Sequence, residues 1–219
     1  MIVRRRVLAS AMASMALAAC AHGGPPPTDA APPAPTPSTG AAPWPAPPDP
    51  LTLARRAGLV PTTHEFFTFH IHVHLDVFVN GRPMPVPGGI GININDPGVH
   101  HGPTAYGTGY GGISECAQPC ISPPHTHEAS GIIHVEAPTQ ETFRLGQFFT
   151  EWAVRLDSSC VGGYCRPRDA VAVFVDGKRW SGNPADIVFT NLREIAIVIG
   201  SPPATIPSPF PMTPSPIPS

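Results

Sequence analysis

Charged residues are scarce in this chain of 219 residues. Asp, Glu, Lys and Arg together make up 13% of the sequence, and the formal net charge at pH 7 is −2. Between residues 51 and 200 there is no run of basic residues and no interleaving of basic with aromatic residues, which are the usual marks of a nucleic-acid-binding surface. We therefore expect no nucleic acid among its partners.

Sequence signatures of several enzyme classes are also missing. The chain has no nucleophile elbow, no phosphate-binding glycine loop and no obvious pair of catalytic carboxylates. After the N-terminal segment, no apolar run approaches the ~20 residues of a transmembrane helix. Chemistry that depends on those motifs is not indicated, and no membrane-spanning helix is predicted.

The N-terminus resembles the signal peptide of a bacterial lipoprotein. Arginines at 4–6 precede a short apolar run at 7–19, which ends in Leu17-Ala18-Ala19-Cys20 and resembles a lipobox. The resemblance implies a signal peptide at 1–19, acylation of Cys20, and a lipid anchor on the extracytoplasmic face of a membrane. In a bacterium with two membranes this would be the outer one. The alternative is an ordinary secretory signal, and export by the general or the twin-arginine route stays open.

Proline dominates two long segments of the chain. Of the 32 prolines in the sequence, most lie in residues 20–50 and 201–219, where little apolar surface is available for packing. Such segments cannot offset the conformational entropy lost on folding. We expect a disordered tether at 20–50, a disordered tail at 201–219, and a single domain at 51–200.

A row of histidines marks the first long strand. Residues 64–79 alternate with a period of two, which predicts a strand rather than a helix. One face is apolar from Phe67 onward and should join the core. The other face carries three imidazoles and a carboxylate: His70, His72, His74 and Asp76. Imidazole is a common ligand of zinc and copper, so this face predicts a metal site, with a solvated histidine-rich face as the alternative.

A second histidine group follows at residues 125–136. His125 and His127 share one face of an extended segment, and His134 and Glu136 share another. None of the ten histidines follows His134, a distribution that favours a shared site over separate local roles. Side chains at i and i+4 of a strand lie ~13 Å apart, so three imidazoles of one strand cannot bind one ion. We therefore expect the two groups to face each other across neighbouring strands.

The predicted site holds one zinc or copper ion, bound by two residues of the row and at least one of the second group. The candidate ligands are His70, His72, His74, His125, His127 and His134. We favour His72 and His74, because Asp76 could orient His74. Glu128 and Glu136 are candidate supporting residues or general bases. Only neutral imidazoles bind metal, so affinity should fall as pH drops through ~6.5.

The remaining pattern predicts an α+β fold that is mainly β, with an antiparallel or mixed sheet. Asn80-Gly81 and Asp176-Gly177 are two-residue hairpin signals, and residues 145–156 form the one amphipathic helix. Further strands are predicted at 132–136, 171–175 and 194–199. The closing strands resemble those of a β-grasp fold.

Four cysteines lie within the predicted domain. An exported chain meets oxidising conditions, so disulfides are expected. Among the three possible pairings, the short spacings favour Cys116 with Cys120 and Cys160 with Cys165. Alternatively, Cys116-x-x-x-Cys120 resembles the motif of copper chaperones that deliver to cytochrome oxidase, which implies a thiolate copper site. The prolines at 123 and 124 depart from that family, because they cannot start its helix.

Other resemblances rest on the histidines. His125-Thr126-His127 followed by His134 resembles the ligand pattern of the α-type carbonic anhydrases, which implies a three-histidine zinc site with bound water. The first cupin motif is not matched, since the glycine before His125 and a correctly spaced glutamate are missing. As a whole, the domain resembles uncharacterised histidine-rich extracytoplasmic domains of bacterial lipoproteins. This resemblance implies no particular activity.

Three functions fit these observations. The first is a membrane-anchored lipoprotein that binds zinc or copper for sequestration or delivery. The second is a zinc-dependent hydrolase or lyase with three histidine ligands and a glutamate as general base. The third is a structural or adhesive surface module without metal. Whether the protein is an enzyme stays open; a bound water in an open fourth position would favour catalysis.

Overall fold

The computed structural model describes residues 36–211 of the chain. The predicted signal peptide, Cys20 and the last residues of the tail lie outside the described residues. The helices are α1 (Pro50–Arg56), α2 (Leu145–Glu151) and a 3-10 turn (Pro184–Asp186). The strands are β1 (Phe69–Val79), β2 (Arg82–Met84), β3 (His100–Thr104), β4 (Gly107–Gly111), β5 (Pro124–His125), β6 (Ile132–Ala137), β7 (Cys160–Val161), β8 (Tyr164–Cys165), β9 (Val171–Val175), β10 (Lys178–Arg179) and β11 (Arg193–Ile199).

One mixed sheet organises these elements. Its order is β10-β9-β11-β1-β6-β5, and β2 pairs with β1. The long strands β1 and β11 run parallel at the centre, and each has an antiparallel neighbour, β6 or β9. Helix α2 packs on one face of this sheet. The predicted α+β fold, mainly β, is confirmed.

The period of two in β1 separates core from site. Val73, Leu75 and Val77 are at most 1% exposed and pack in one cluster with β11 and α2. The alternate residues of β1, including the histidines, must point to the opposite face of the sheet. The prediction fails only at the start of the segment. Phe67 is 76% exposed, because the strand begins at Phe69 and the residues before it form a loop.

Helix α2 is shorter than predicted. Its apolar face is buried as expected, with Phe148 and Phe149 at most 1% exposed. The helix ends at Glu151 rather than near residue 156, because Ala153 adopts a left-handed conformation with φ 56°. Trp152 still packs in the core as the residue that caps the helix.

The domain includes part of the proline-rich segment that composition assigns to the tether. Trp44 is 3% exposed and makes an edge contact with Trp152 at 5.6 Å between ring centroids. The Trp152 indole donates a hydrogen bond to the carbonyl of Trp44 at 3.3 Å. A second helix, α1, then begins at Pro50 behind an Asp49 cap. A buried tryptophan supplies the apolar surface that the prolines lack, and prolines lose little entropy on ordering.

Both predicted hairpin turns and both predicted disulfides are present. Asn80-Gly81 and Asp176-Gly177 have positive φ angles throughout, as a two-residue turn of this kind requires. Cys116 is bonded to Cys120 and Cys160 to Cys165, so in this structure the first pair offers no free thiolates for copper. Neither α-helix of the described chain has the length and apolar character needed to span a bilayer.

A small second core lies beside the main sheet. It is formed by residues of the long glycine- and proline-rich segment, with Ile113, Ile121 and the Cys116–Cys120 disulfide buried together. The β3–β4 hairpin belongs to the same segment. This disulfide-bonded segment carries the carbonyls of Tyr110 and Ile113, which accept hydrogen bonds from His127 and from the amide of Glu65.

Candidate metal centre

Strand register brings the two histidine groups together on the sheet face opposite α2. His72 of β1 lies opposite His134 of β6, and His134 lies opposite His125 of β5. His70 lies opposite Glu136 in the same way. Adjacent strands are ~4.7–4.9 Å apart, so these side chains form one continuous patch across three strands.

Thr126 fixes the orientation of the His125-Thr126-His127 segment. Its hydroxyl donates to the carbonyl of Pro87 at 2.7 Å and accepts from the amide of Ile90 at 3.1 Å. Its own amide donates to the carbonyl of Ile90 at 3.0 Å. With Thr126 held against this loop, its two neighbours in an extended chain face the other way, toward β6.

Backbone carbonyls set the tautomers of His125 and His127. The Nδ1 of His125 donates to the carbonyl of Ser122 at 2.9 Å, and the Nδ1 of His127 donates to the carbonyl of Tyr110. A carbonyl oxygen only accepts, so each neutral ring carries its proton on Nδ1 and a lone pair on Nε2. The two Nε2 atoms are 3.2 Å apart. Two lone pairs thus face each other, an arrangement that a cation between them would stabilise.

A second convergence lies at the His70 end of the row. The Nε2 of His70 is 3.2 Å from the Nε2 of His72 and 3.3 Å from Glu136 Oε1. The Nδ1 of His134 is 3.7 Å from the same carboxylate oxygen, and it is buried without a hydrogen-bond partner. We name five side chains the imidazole cluster: His70, His72, His125, His127 and His134.

Two carboxylates border the imidazole cluster, and the sequence pointed to only one of them. Glu136 is the predicted one. Glu65 Oε1 lies 3.2 Å from the Nε2 of His127. Its backbone amide donates to the carbonyl of Ile113 in the second core at 3.1 Å. The sequence signal for Glu65 was a single glutamate just before the histidine row. The alternating pattern predicts a strand at 64–68, but in the structure these residues form a loop.

Burial keeps the imidazoles neutral. It lowers the pKa of all five, and the neighbouring imidazoles add to the effect for most of them. The pKa of His127 falls to about 4, and those of His125 and His134 fall well below 6.5. Burial and the charge of Glu65 raise the pKa of Glu136 to about 8. Near neutral pH the cluster therefore presents unprotonated nitrogens, the form that binds metal.

His74, which the sequence favours as a ligand, lies in a separate ionic group. Its Nδ1 donates to Glu194 Oε2 at 2.9 Å, its Nε2 donates to the carbonyl of Ser130 at 3.0 Å, and Asp76 lies 3.8 Å from Nδ1. Burial alone would lower the pKa of His74, but the hydrogen bond and charge of Glu194, with the charge of Asp76, raise it overall. A raised pKa favours the protonated ring, so protons compete with any metal ion at this group.

Strand register determines which residue each histidine of β1 meets. Strand β1 pairs with β6 on one side and with β11 on the other, and His74 lies opposite Glu194 of β11. Asp76 does contact His74, as predicted, but within this ionic group. Glu128 is buried, yet it belongs to none of the possible ligand groups among residues 36–211.

The described residues therefore contain side-chain groups that could hold a metal ion. The donor atoms of His125, His127, His134 and Glu136 lie within 4.8 Å of one another, as do those of His70, His72 and His134 and those of His74, Asp76 and Glu194. Comparison with protein-family models, with curated proteins and with solved structures finds no match for the chain.

Proposed function

We propose that the imidazole cluster binds a transition-metal ion, zinc or copper. The observation that carries the proposal is the pair of Nε2 atoms of His125 and His127, 3.2 Å apart, with each Nδ1 held by a backbone carbonyl. Histidine ligands of metals commonly donate their second ring nitrogen to a carbonyl in this way, which fixes the ring and its tautomer.

The distances support a tetrahedral ion. Ligands bonded to zinc at ~2.0 Å stand ~3.3 Å from one another in a tetrahedron. The separation of the His125 and His127 nitrogens and that of His127 Nε2 from Glu65 Oε1 are both 3.2 Å. Imidazole with carboxylate suits zinc or copper, whereas calcium and magnesium prefer oxygen ligands alone.

The function we favour is sequestration or delivery of the ion by a lipid-anchored protein of the cell envelope. The resemblance of residues 17–20 to a lipobox supports the anchor. The two disulfides support an oxidising, extracytoplasmic compartment, since such bonds are rare in the cytosol. The surplus of imidazoles over the three or four ligands of one ion favours binding over catalysis.

A zinc-dependent hydrolase is the second candidate. The observation in its favour is Glu136, whose pKa of about 8 is suited to proton transfer near neutral pH and which lies 3.3 Å from His70. Catalysis requires a water on the metal, so X-ray absorption spectroscopy of the zinc protein separates the candidates. A shell of protein nitrogen and oxygen alone favours binding, and a water in the shell favours catalysis.

The metal itself is tested by elemental analysis of the purified protein after dialysis against a moderate chelator. We expect at least one ion per chain in the wild type and a fall in affinity of about 100-fold or more in His125→Gln/His127→Gln. The matched control is His100→Gln/His101→Gln, which removes two exposed histidines and should keep the metal. A wild type without stoichiometric metal, or a double variant that retains it, contradicts the proposal.

A further inference from the structure

The imidazole cluster offers more donors than one ion can use. Five imidazoles and the carboxylates of Glu65 and Glu136 converge on it. A zinc ion in a protein takes four ligands. We propose that the cluster is a two-ion centre, an inference that rests on the metal-binding function proposed above.

The inner set of donors is formed by His125 and His127, with Glu65 beside His127 and with the Glu136 carboxylate within 4.8 Å of both imidazole nitrogens. The His127 nitrogen is the corner of this set, 3.2 Å from the His125 nitrogen and 3.2 Å from the Glu65 oxygen. Both separations match the ~3.3 Å edge of a tetrahedral zinc site. Both imidazoles are buried, at 0% and 2% exposure, so an ion here is enclosed by the protein.

The outer set is formed by His70 and His72, and it shares the Glu136 carboxylate with the inner set. His70 Nε2 is its corner, 3.2 Å from His72 Nε2 and 3.3 Å from Glu136 Oε1. His70 and His72 are only half-buried, and the His70 side chain is 24% exposed. An ion here can exchange with solvent without opening the fold.

His134 lies between the two sets and supplies the next ligand for either. Its ring centroid is 4.4 Å and 5.6 Å from those of His127 and His125, and 4.6 Å and 5.7 Å from those of His72 and His70. It is the histidine common to two of the ligand groups described above. A neutral imidazole has one lone pair, so His134 completes one of the two sets, and the other ion keeps a coordination position for water.

A single ion does not account for the outer set. Ligands of one ion must all lie within ~2.0–2.2 Å of it, and the donor atoms of His70 and His72 group with His134 rather than with His125 and His127. In the two-ion arrangement, one cation lies between the nitrogens of His125 and His127 and another between those of His70 and His72. It also gives the protein an exposed ion that exchanges readily and a buried ion that exchanges slowly.

The experiment is a zinc titration of the chelator-treated full-length protein in competition with a chromophoric chelator. We expect a two-step isotherm with two zinc ions per chain in the wild type. His70→Ala/His72→Ala should bind one ion per chain, with the binding step of the buried inner set retained. The control His100→Ala/His101→Ala should bind two.

The outcomes separate the two proposals. One ion per chain in the wild type overturns the two-ion centre and leaves the metal-binding function standing, with the outer nitrogens joined by a shared proton. No zinc at all overturns both. Two ions in His70→Ala/His72→Ala also overturn the two-ion centre at these residues. The wild-type isotherm decides the stoichiometry even if a variant fails to fold.

Discussion

A histidine in this sheet becomes a ligand or a cation according to what faces its second nitrogen. In His125 and His127 one nitrogen donates to a carbonyl and the other meets a nitrogen, so the free lone pair is directed at a possible metal. In His74 both nitrogens meet oxygen acceptors, and the pKa is raised. Histidines on one face of the sheet thereby have pKa shifts of opposite sign.

Replacing His74 should therefore affect stability and not metal content. In His74→Gln the buried Glu194, with a side chain 1% exposed, loses its charged partner, and we expect a loss of about 3–5 kcal/mol near pH 6.5. The pKa of His74 is raised, so its contribution is full below ~6.5 and is lost as pH rises through the folded-state pKa. Urea denaturation at pH 6.5 and pH 9 and elemental analysis check both parts.

The outcome for His74→Gln also distinguishes the two interpretations of the histidine row. Stoichiometric metal in this variant agrees with a separate ionic group. Loss of metal with an unchanged unfolding midpoint would return His74 to the ligand set favoured by the sequence. The exposed His101→Gln serves as the control for handling and should leave both measurements unchanged.

At the scale of elements, the sequence predicts what alternation and turn chemistry determine. The apolar face of β1, the hairpins at Asn80-Gly81 and Asp176-Gly177, and the strand at 171–175 all follow from local pattern. The position of Trp44 in the core does not follow from local pattern, because a single tryptophan in a proline-rich segment gives no periodic signal. The end of α2 does not either, since an alanine in the left-handed conformation has no sequence signature.

The composition of the site depends on register, which a single sequence does not reveal. The alternation places the histidines of β1 on one face, but only the pairing of β1 with β6 and β11 decides which residue each of them meets. A shift of one residue would have turned the β6 side chains to the other face of the sheet. That is why the meeting of the two histidine groups was predictable and the pairing of His74 with Glu194 was not. Glu65 was missed because a loop, not a strand, directs it.

The Cys116–Cys120 disulfide should support the metal site through the second core. That core presents the carbonyl of Tyr110 to His127 and the carbonyl of Ile113 to the amide of Glu65. We expect Cys116→Ser/Cys120→Ser to lower zinc affinity about 10-fold, since it loosens groups that orient ligands. The free energy of unfolding should fall by about 2 kcal/mol for so short a loop. Competition titration and urea denaturation measure the two effects.

The second disulfide provides the matched control for this prediction. Cys160→Ser/Cys165→Ser removes a bond of similar loop length, and the amides of these two residues donate to Asp157 and Asp169 rather than to the cluster. It should reduce stability and leave zinc affinity unchanged. Equal losses of affinity in both variants would mean that general loosening of the fold, and not the second core, governs the site.

At the scale of the whole molecule, the proposed lipid anchor at Cys20 would determine where the domain acts. If Cys20 is acylated, Cys20→Ser should move the protein from the membrane fraction to the soluble fraction after cell lysis. Several acyl chains anchor a protein stably to a membrane, and the variant would carry no acyl chain. Immunoblots of the two fractions provide the measurement, with Cys160→Ser/Cys165→Ser as a control that keeps the anchor. Continued membrane association of Cys20→Ser would contradict the lipobox interpretation.

Metal binding at the cluster would be coupled to folding, because the cluster joins β1, β5, β6 and the loop before β1. The metal-free protein should lose stability in acid. His125, His127 and His134 have lowered pKa values when folded, so below ~6.5 the unfolded chain binds more protons than the folded chain. Their contribution is full above ~6.5 and is lost as pH falls toward the folded-state values, about 4 for His127.

Zinc should stabilise the folded protein at more acidic pH than it would if its ligands were exposed histidines. The sequence alone predicts that affinity falls through pH ~6.5, but the folded ligands stay neutral well below it, because burial disfavours their charged forms. At 100 times the dissociation constant, zinc adds about 2.7 kcal/mol to the free energy of unfolding. Thermal unfolding with and without zinc at pH 7.5, 6 and 4 should show an upward shift in Tm at the first two values and little at the third. His125→Gln/His127→Gln should show a much smaller shift at pH 7.5. A zinc-dependent shift in the wild type that vanishes between pH 7.5 and 6 would mean that the ligands titrate as exposed imidazoles and that the buried site does not hold the ion.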